Sequence, residues 1–214
     1  MSFAKDSKLE IIENEIDDAD CGQAFISGLL HACGAITKNS DGIKAELVTD
    51  FKEIFDYLNK LVEKLYGEKL HLEISDDYII NKTTYYRISF PTDISMQVLQ
   101  DCALMSANGE YNFAGIIDPN IIADEETKKH FIMGAYVGCA TSSIKLSDLG
   151  SRQATTGYHV EFASHRSAFL EGLNQALSYF NINAKISTRK KIYVLYIKDS
   201  EQIKDLLALV GANQ

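Results

Sequence analysis

The chain repeats itself. Residues 26–34 read ISGLLHACG and residues 132–140 read IMGAYVGCA, and the same order of elements surrounds each stretch. A duplication of this kind constrains a fold more than any local propensity, because both copies must bury equivalent faces.

In the first copy, Phe3, Leu9, Ile12 and Ile16 lie at helical spacing in the leading SFAKDSKLEIIENEI. CGQAFISGLLHACGAIT follows as a largely apolar, buried helix. Strands around GAITKN and GIKAELVTD are joined by the turn residues Asn39, Ser40, Asp41 and Gly42. FKEIFDYLNKLVEKLYGEK is an amphipathic helix stopped by Gly67. LHLEISDDYIINKTTYYRISF alternates, breaks at Asp76-Asp77 and again near Asn81-Lys82, and reads as a β-hairpin ended by Pro91. DISMQVLQDCALMSA closes the half as a helix.

Residues 107–128, with Gly, Asn and Pro and weak periodicity, read as a connection. The order then recurs: helix in KKHFIMGAYVGCA, strands TSSIKLS and GYHVEFAS, helix SAFLEGLNQALSYFN, strands AKISTR and KIYVLYI, helix SEQIKDLLALVG. GIKAELVTD aligns with GYHVEFASH, and YLNKLVEKLY with GLNQALSYFN. The expected organisation is therefore a first half over 1–106 with a leading helix, a connection over 107–128, and a second half over 129–214. Each half has the order αββαββα, an α+β pseudo-dimer with helices packed on antiparallel sheets.

Gly28 and Ala32 lie four residues apart on one helix, as Gly134 and Gly138 do on the other, so each pair shares a face. Stripes of small residues let two helix backbones approach closely. A glycine costs about 1 kcal/mol against alanine inside a helix. Four small residues at matched positions therefore point to the two helices meeting at a pseudo-two-fold axis.

Laid on the LAGLIDADG motif, ISGLLHACG and IMGAYVGCA occupy all nine positions, and the chain resembles the homing endonucleases that carry it. The resemblance implies a tandem αββαββα LAGLIDADG homing-endonuclease-like pseudo-dimer. In that family the eighth position is an acidic residue at the foot of each interface helix, and the two carboxylates hold the divalent metals. Here the eighth positions are Cys33 and Cys139. Magnesium prefers hard oxygen ligands, and a thiol has an unperturbed pKa of about 8.5. The resemblance thus implies a nuclease core without a metal, a cofactor or a catalytic residue.

Over its whole length the chain is similar to the N-terminal region of the WhiA family, bacterial regulators linked to sporulation and cell division. The similarity rests on MSFAKDSKLEI, ISGLLHACGAI, FIMGAYVGCATSSI, GYHVEFAS, NAKISTRKKIYVLYIKDSEQI and LLALVGANQ. Members of that family carry a C-terminal helix-turn-helix, which is expected to be absent from a chain that stops at Gln214. The resemblance implies a non-enzymatic DNA-binding domain of a transcription regulator, with DNA and other regulatory proteins as partners. A covalent pseudo-dimer completes its own helix pair, so a monomer is expected. Two other functions remain open: a protein-interaction scaffold without DNA binding, and a nuclease with an unconventional metal site built on Asp41 or Asp50.

Composition bears on this choice through charge. A formal net charge of −9 opposes DNA binding by the bulk field, so any contact must come from a local basic face. The candidates for phosphate contact are Lys38, Lys44, Arg87, Lys145, Arg152, Arg189, Lys190 and Lys191, on or between predicted strands. Tyr85, Tyr86 and Tyr193 could flank them. Clustering of these basic residues on one sheet face favours DNA binding, and scatter favours the scaffold. The five histidines show no metal-ligand spacing; His159 and Glu161 share a strand face as a surface pair. Cys21, Cys33, Cys102 and Cys139 lie outside any CxxC pair, as buried reduced thiols do. With no apolar N-terminal h-region and no run of spanning length, the chain reads as a cytoplasmic protein without membrane contact.

Overall fold

The structure is a computed structural model that describes residues 2–80, 82–143 and 159–212, with residues 74–79 described in their backbone alone. The first half runs α1 (Phe3–Ile11), α2 (Ala19–Cys33), β1 (Gly34–Asn39), β2 (Gly42–Thr49), α3 (Ile54–Tyr66), β3 (His71–Ile80), β4 (Thr83–Ser89) and α4 (Thr92–Asp101). The second runs α5 (Glu125–Cys139), β5 (Ala140–Ser142), β6 (Val160–Ser164), α6 (Ser167–Tyr179), β7 (Lys185–Arg189), β8 (Ile192–Ile197) and α7 (Ser200–Val210). The strands form two four-stranded antiparallel sheets of equivalent order, β1-β2-β4-β3 and β5-β6-β8-β7.

Matched signals start the two central helices. Asp18 caps α2 by accepting from the Cys21 N–H at 2.8 Å, and Asp124 caps α5 by accepting from the Thr127 N–H at 2.8 Å. Thr127 bonds back to Asp124, so α5 begins at Glu125, inside the expected connection. Both helices run directly into the first strand of their sheet.

Gly28 of α2 rests against the Phe131 carbonyl of α5, and Gly134 of α5 against the Phe25 carbonyl of α2; a methyl group at either would overlap that oxygen. One turn on, a methyl on Gly138 would lie 2.5 Å from the Ala32 side chain. Phe25 and Phe131 stand three residues before the two glycines, so the contact maps onto itself when the halves are exchanged. This seam is the centre of one hydrophobic core that includes Phe25, Ile26, Leu29, Phe131, Ile132 and Ala135 and continues under both sheets.

Two expectations need correction. The leading helix stops at Ile11 rather than reaching Ile16, and its inward stripe is Phe3, Ala4, Ser7, Lys8 and Ile11. It packs on α5 and β5 of the other half, where Ser7 Oγ and the buried Tyr136 hydroxyl lie 2.7 Å apart. Asp76-Asp77 do not end a strand: β3 continues through them with a register shift between Ile74 and Ile79. The strand expected over TSSIKLS is present as β5 through Ser142, and its part from residue 144 on lies outside the described residues.

Candidate nucleic-acid interface

Strand register sorts every side chain to one of two faces. In the first sheet Ile36, Ala45, Leu47, Ile88 and Leu72 face the helices, while Thr37, Lys44, Glu46, Val48, Tyr85 and Arg87 share the opposite face. In the second, Phe162, Leu195 and Ile186 face the helices, while Thr141, His159, Glu161, Lys185 and Arg189 share the opposite face. The two outer faces come together over the C-terminal ends of α2 and α5, at a cavity of about 320 Å³ touched by Val48 and Tyr85 from one sheet and Thr141 from the other.

The structure therefore brings Lys44 and Arg87 together on one outer face and places Arg189 on the other. Lys190 and Lys191 are exposed in the adjoining β7–β8 turn, where Lys190 takes the left-handed backbone (φ 55°). Lys38 does not join them: it pairs with Ile43 and lies on the helix side of its sheet, exposed at the tip. Tyr85 is on the outer face, whereas Tyr86 and Tyr193 are on the helix side. Lys145 and Arg152 lie outside the described residues. Lys185 stands on the outer face of the second sheet, a basic residue that spacing alone did not single out.

Each outer face has a carboxylate at its centre. Glu46, buried, accepts from the Thr37 hydroxyl at 2.8 Å and lies 3.7 Å from Arg87 Nε. Glu161, at the matching position of the aligned GIKAELVTD and GYHVEFASH, takes Arg189 in a bidentate pair of 2.7 and 3.1 Å. His159 adds Nε2 at 3.0 Å from Glu161, and its Nδ1 lies 2.8 Å from Ser143 Oγ. The surface pair read from period two thus has a third partner, Arg189, which arrives from another strand.

The feet of the central helices hold Cys33 and Cys139, both free thiols. Burial pushes each thiol up to about 12, so they stand protonated and uncharged at neutral pH. Cys33 Sγ donates to the Leu29 carbonyl at 3.4 Å. Lys8 of α1 reaches into the same place; it is 7% exposed, and its charge is felt by both thiols. Lys5 lines the cavity too, but is paired with Glu53 at 2.8 Å. Asp50 completes the charged groups there. Lys8 escaped the sequence reading, although a lysine flanked by Ser7 and Ile11 on the apolar stripe of a helix was its signal.

The model of the WhiA LAGLIDADG-like domain matches residues 22–86 and 146–214, more than half of the chain. The chain belongs to the WhiA LAGLIDADG-like family. Curated WhiA relatives carry the name probable cell division protein WhiA. That of Staphylococcus epidermidis is 26% identical over 214 residues, covering 100% of this chain and 64% of its own length. That of Alkaliphilus metalliredigens is 26% identical over 216 residues, covering 100% and 65%. The chain thus spans a little under two thirds of these WhiA proteins. A crystal structure of the N-terminal LAGLIDADG domain of DUF199/WhiA superposes with a TM-score of 0.70 at 18% identity, covering 100% of this chain and 92% of that one. The homing endonuclease I-DmoI in complex with DNA and Mn superposes at 0.55 with 16% identity, covering 90% and 98%.

The homing-endonuclease fold implies a divalent metal between the helix feet, and the residues of this WhiA-family core do not fit one. Two protonated thiols and an ammonium group replace hard oxygen donors. Among the described residues no three His, Cys, Asp or Glu side chains group as a metal site. Nor is any helix of the described residues long and apolar enough to cross a membrane.

Proposed function

We propose that this chain is a non-catalytic DNA-binding domain of a cytoplasmic WhiA-type transcription regulator, acting in cell division or sporulation as a monomer. The observation that carries the reading is the convergence of two basic-edged outer sheet faces on helix feet that hold Cys33 and Cys139 instead of acids. I-DmoI, of the same fold, is known in complex with DNA and Mn. DNA would lie across both sheets, with Lys44, Arg87, Lys185, Arg189, Lys190 and Lys191 meeting phosphates. Arginines held by Glu46 and Glu161 are only partly available, so the affinity is modest and salt-sensitive.

A scaffold without DNA binding is the second reading, and the same two glutamates favour it, since they neutralise the arginines best placed on each face. Fluorescence anisotropy of a labelled duplex, titrated with protein at several salt concentrations in the presence of a chelator, separates the two. DNA binding gives an affinity that falls linearly with the logarithm of salt concentration. Absence of binding at low salt leaves the scaffold, with regulatory proteins as its partners. Incubation of plasmid with magnesium or manganese is expected to leave it supercoiled; nicking would overturn the non-catalytic assignment.

A further inference from the structure

Lys8 has no hydrogen bond or ion pair with any described residue, though it is 7% exposed. A buried ammonium without a counter-charge is among the most expensive arrangements a protein keeps. Its neighbours explain part of this. The last residues of α2 and α5 are Cys33 and Cys139, and two helix C-termini each present about half a negative charge. A cation is at home between them. In this fold that place suits metal ions, and here the protein supplies the cation from α1, anchored by the bond between Ser7 and Tyr136.

The helix ends do not discharge Lys8, and no side chain finishes the task. Asp50 lines the cavity but stands beyond ion-pair distance, and Lys5 already holds Glu53. Ser142 Oγ, on the wall of the same cavity, is buried without a partner among the described residues. The cavity, about 320 Å³, opens between the two outer sheet faces and has room for a tetrahedral oxyanion. We infer that Lys8 is a built-in cation standing where the metal ions of a nuclease would be, and that it holds one backbone phosphate of bound DNA without metal. Burial lowers the affinity of Lys8 for its proton in the free protein, so an arriving phosphate also secures that proton.

This inference rests on the DNA-binding reading, and its test keeps the two apart. The duplex titration is repeated with Lys8→Met, which fills the same space without charge. The variant is expected to melt at or above the wild-type temperature, because an unpaired buried charge is gone. Its affinity should fall about three- to tenfold at the lowest salt, and its log–log salt slope should be shallower by about 0.9, one phosphate contact. A chelator should change neither protein's binding, and magnesium should strengthen neither, acting on both only as a competing counterion for the phosphates. In the wild type, the Lys8 Cε–Hε NMR resonance should move on addition of duplex, a readout that needs no variant to fold. Equal slopes for wild type and variant, or an unmoved resonance, would overturn the role of Lys8 while leaving DNA binding intact. Failure of the wild type to bind sinks the DNA-binding reading and this one with it. Inorganic phosphate that raises the melting temperature of the wild type but not of Lys8→Met, with equal DNA slopes, would assign the cavity to a free anion instead.

Discussion

Glu161 and His31 show how much one side chain can govern here. Arg189 is over half exposed and points across the outer face, but both its terminal nitrogens are spent on Glu161. Glu161→Gln keeps the shape, removes a negative charge from the face and releases the guanidinium. Exposed pairs of this kind hold about 0.2–1 kcal/mol, so duplex affinity at low salt should rise roughly two- to fivefold, read by anisotropy. Stability should change by less than about 1 kcal/mol. His31 belongs to the core instead. Its ring stacks on Phe169 at 5.5 Å, neither ring nitrogen has a partner among the described residues, and burial, with the charge of Arg166, lowers its pKa to about 3. The folded state therefore refuses a proton that the unfolded chain accepts below pH 6.5. Stability from this group is complete above pH 6.5 and drains away as pH falls toward 3. At pH 5 the loss is about 2 kcal/mol. His31→Leu should flatten that part of the curve in denaturant titrations run from pH 7 to pH 4.5.

The decisive element is the α2–α5 pair. Its glycines are not interchangeable with alanine, because the atoms opposite Gly28 and Gly134 are backbone carbonyls of Phe131 and Phe25, which cannot turn aside as a side chain can. Gly28→Ala or Gly134→Ala must push the helices apart along the whole seam, at about 3 kcal/mol or more, against the small gain of helix propensity. A denaturant midpoint shift of that size in either variant is the expected result. At Gly138 the opposing atom is the Ala32 Cβ at 2.5 Å, fixed to its own backbone, so that position is closed to a larger residue as well. These four positions were readable from the sequence, since small residues at matched spacing report close approach regardless of what surrounds them. The start of α5 was not, because the capping box at Asp124 and Thr127 lies in a stretch whose weak apolar periodicity resembled a connection. The end of α1 was overrun for the opposite reason. Ile12 and Ile16 continue a helical spacing, yet Ile16 is buried from the non-helical segment that links α1 to α2.

At the scale of the molecule, a net charge of −9 must coexist with a surface proposed to meet DNA. The reconciliation is spatial. Glu15, Asp17, Asp18, Asp20, Asp124 and Glu126 gather at the N-terminal ends of α2 and α5, the far end of the helix pair from the two cysteines. Lys8 and the outer sheet faces lie at the near end. The duplication, the order of elements, the pairing of the two central helices and the loss of both acids were all determined by the linear sequence. Periodicity, turn residues and small-residue spacing act over a few residues and mean the same thing wherever they occur. The sorting of the basic residues belonged to the fold. Lys8 went to the wall it shares with Cys139 of the second half, Lys38 went to the helix side through strand register, and Arg87 and Arg189 were drawn to glutamates on other strands. Charge pairing and burial depend on which distant segments meet, and only folding brings those segments together.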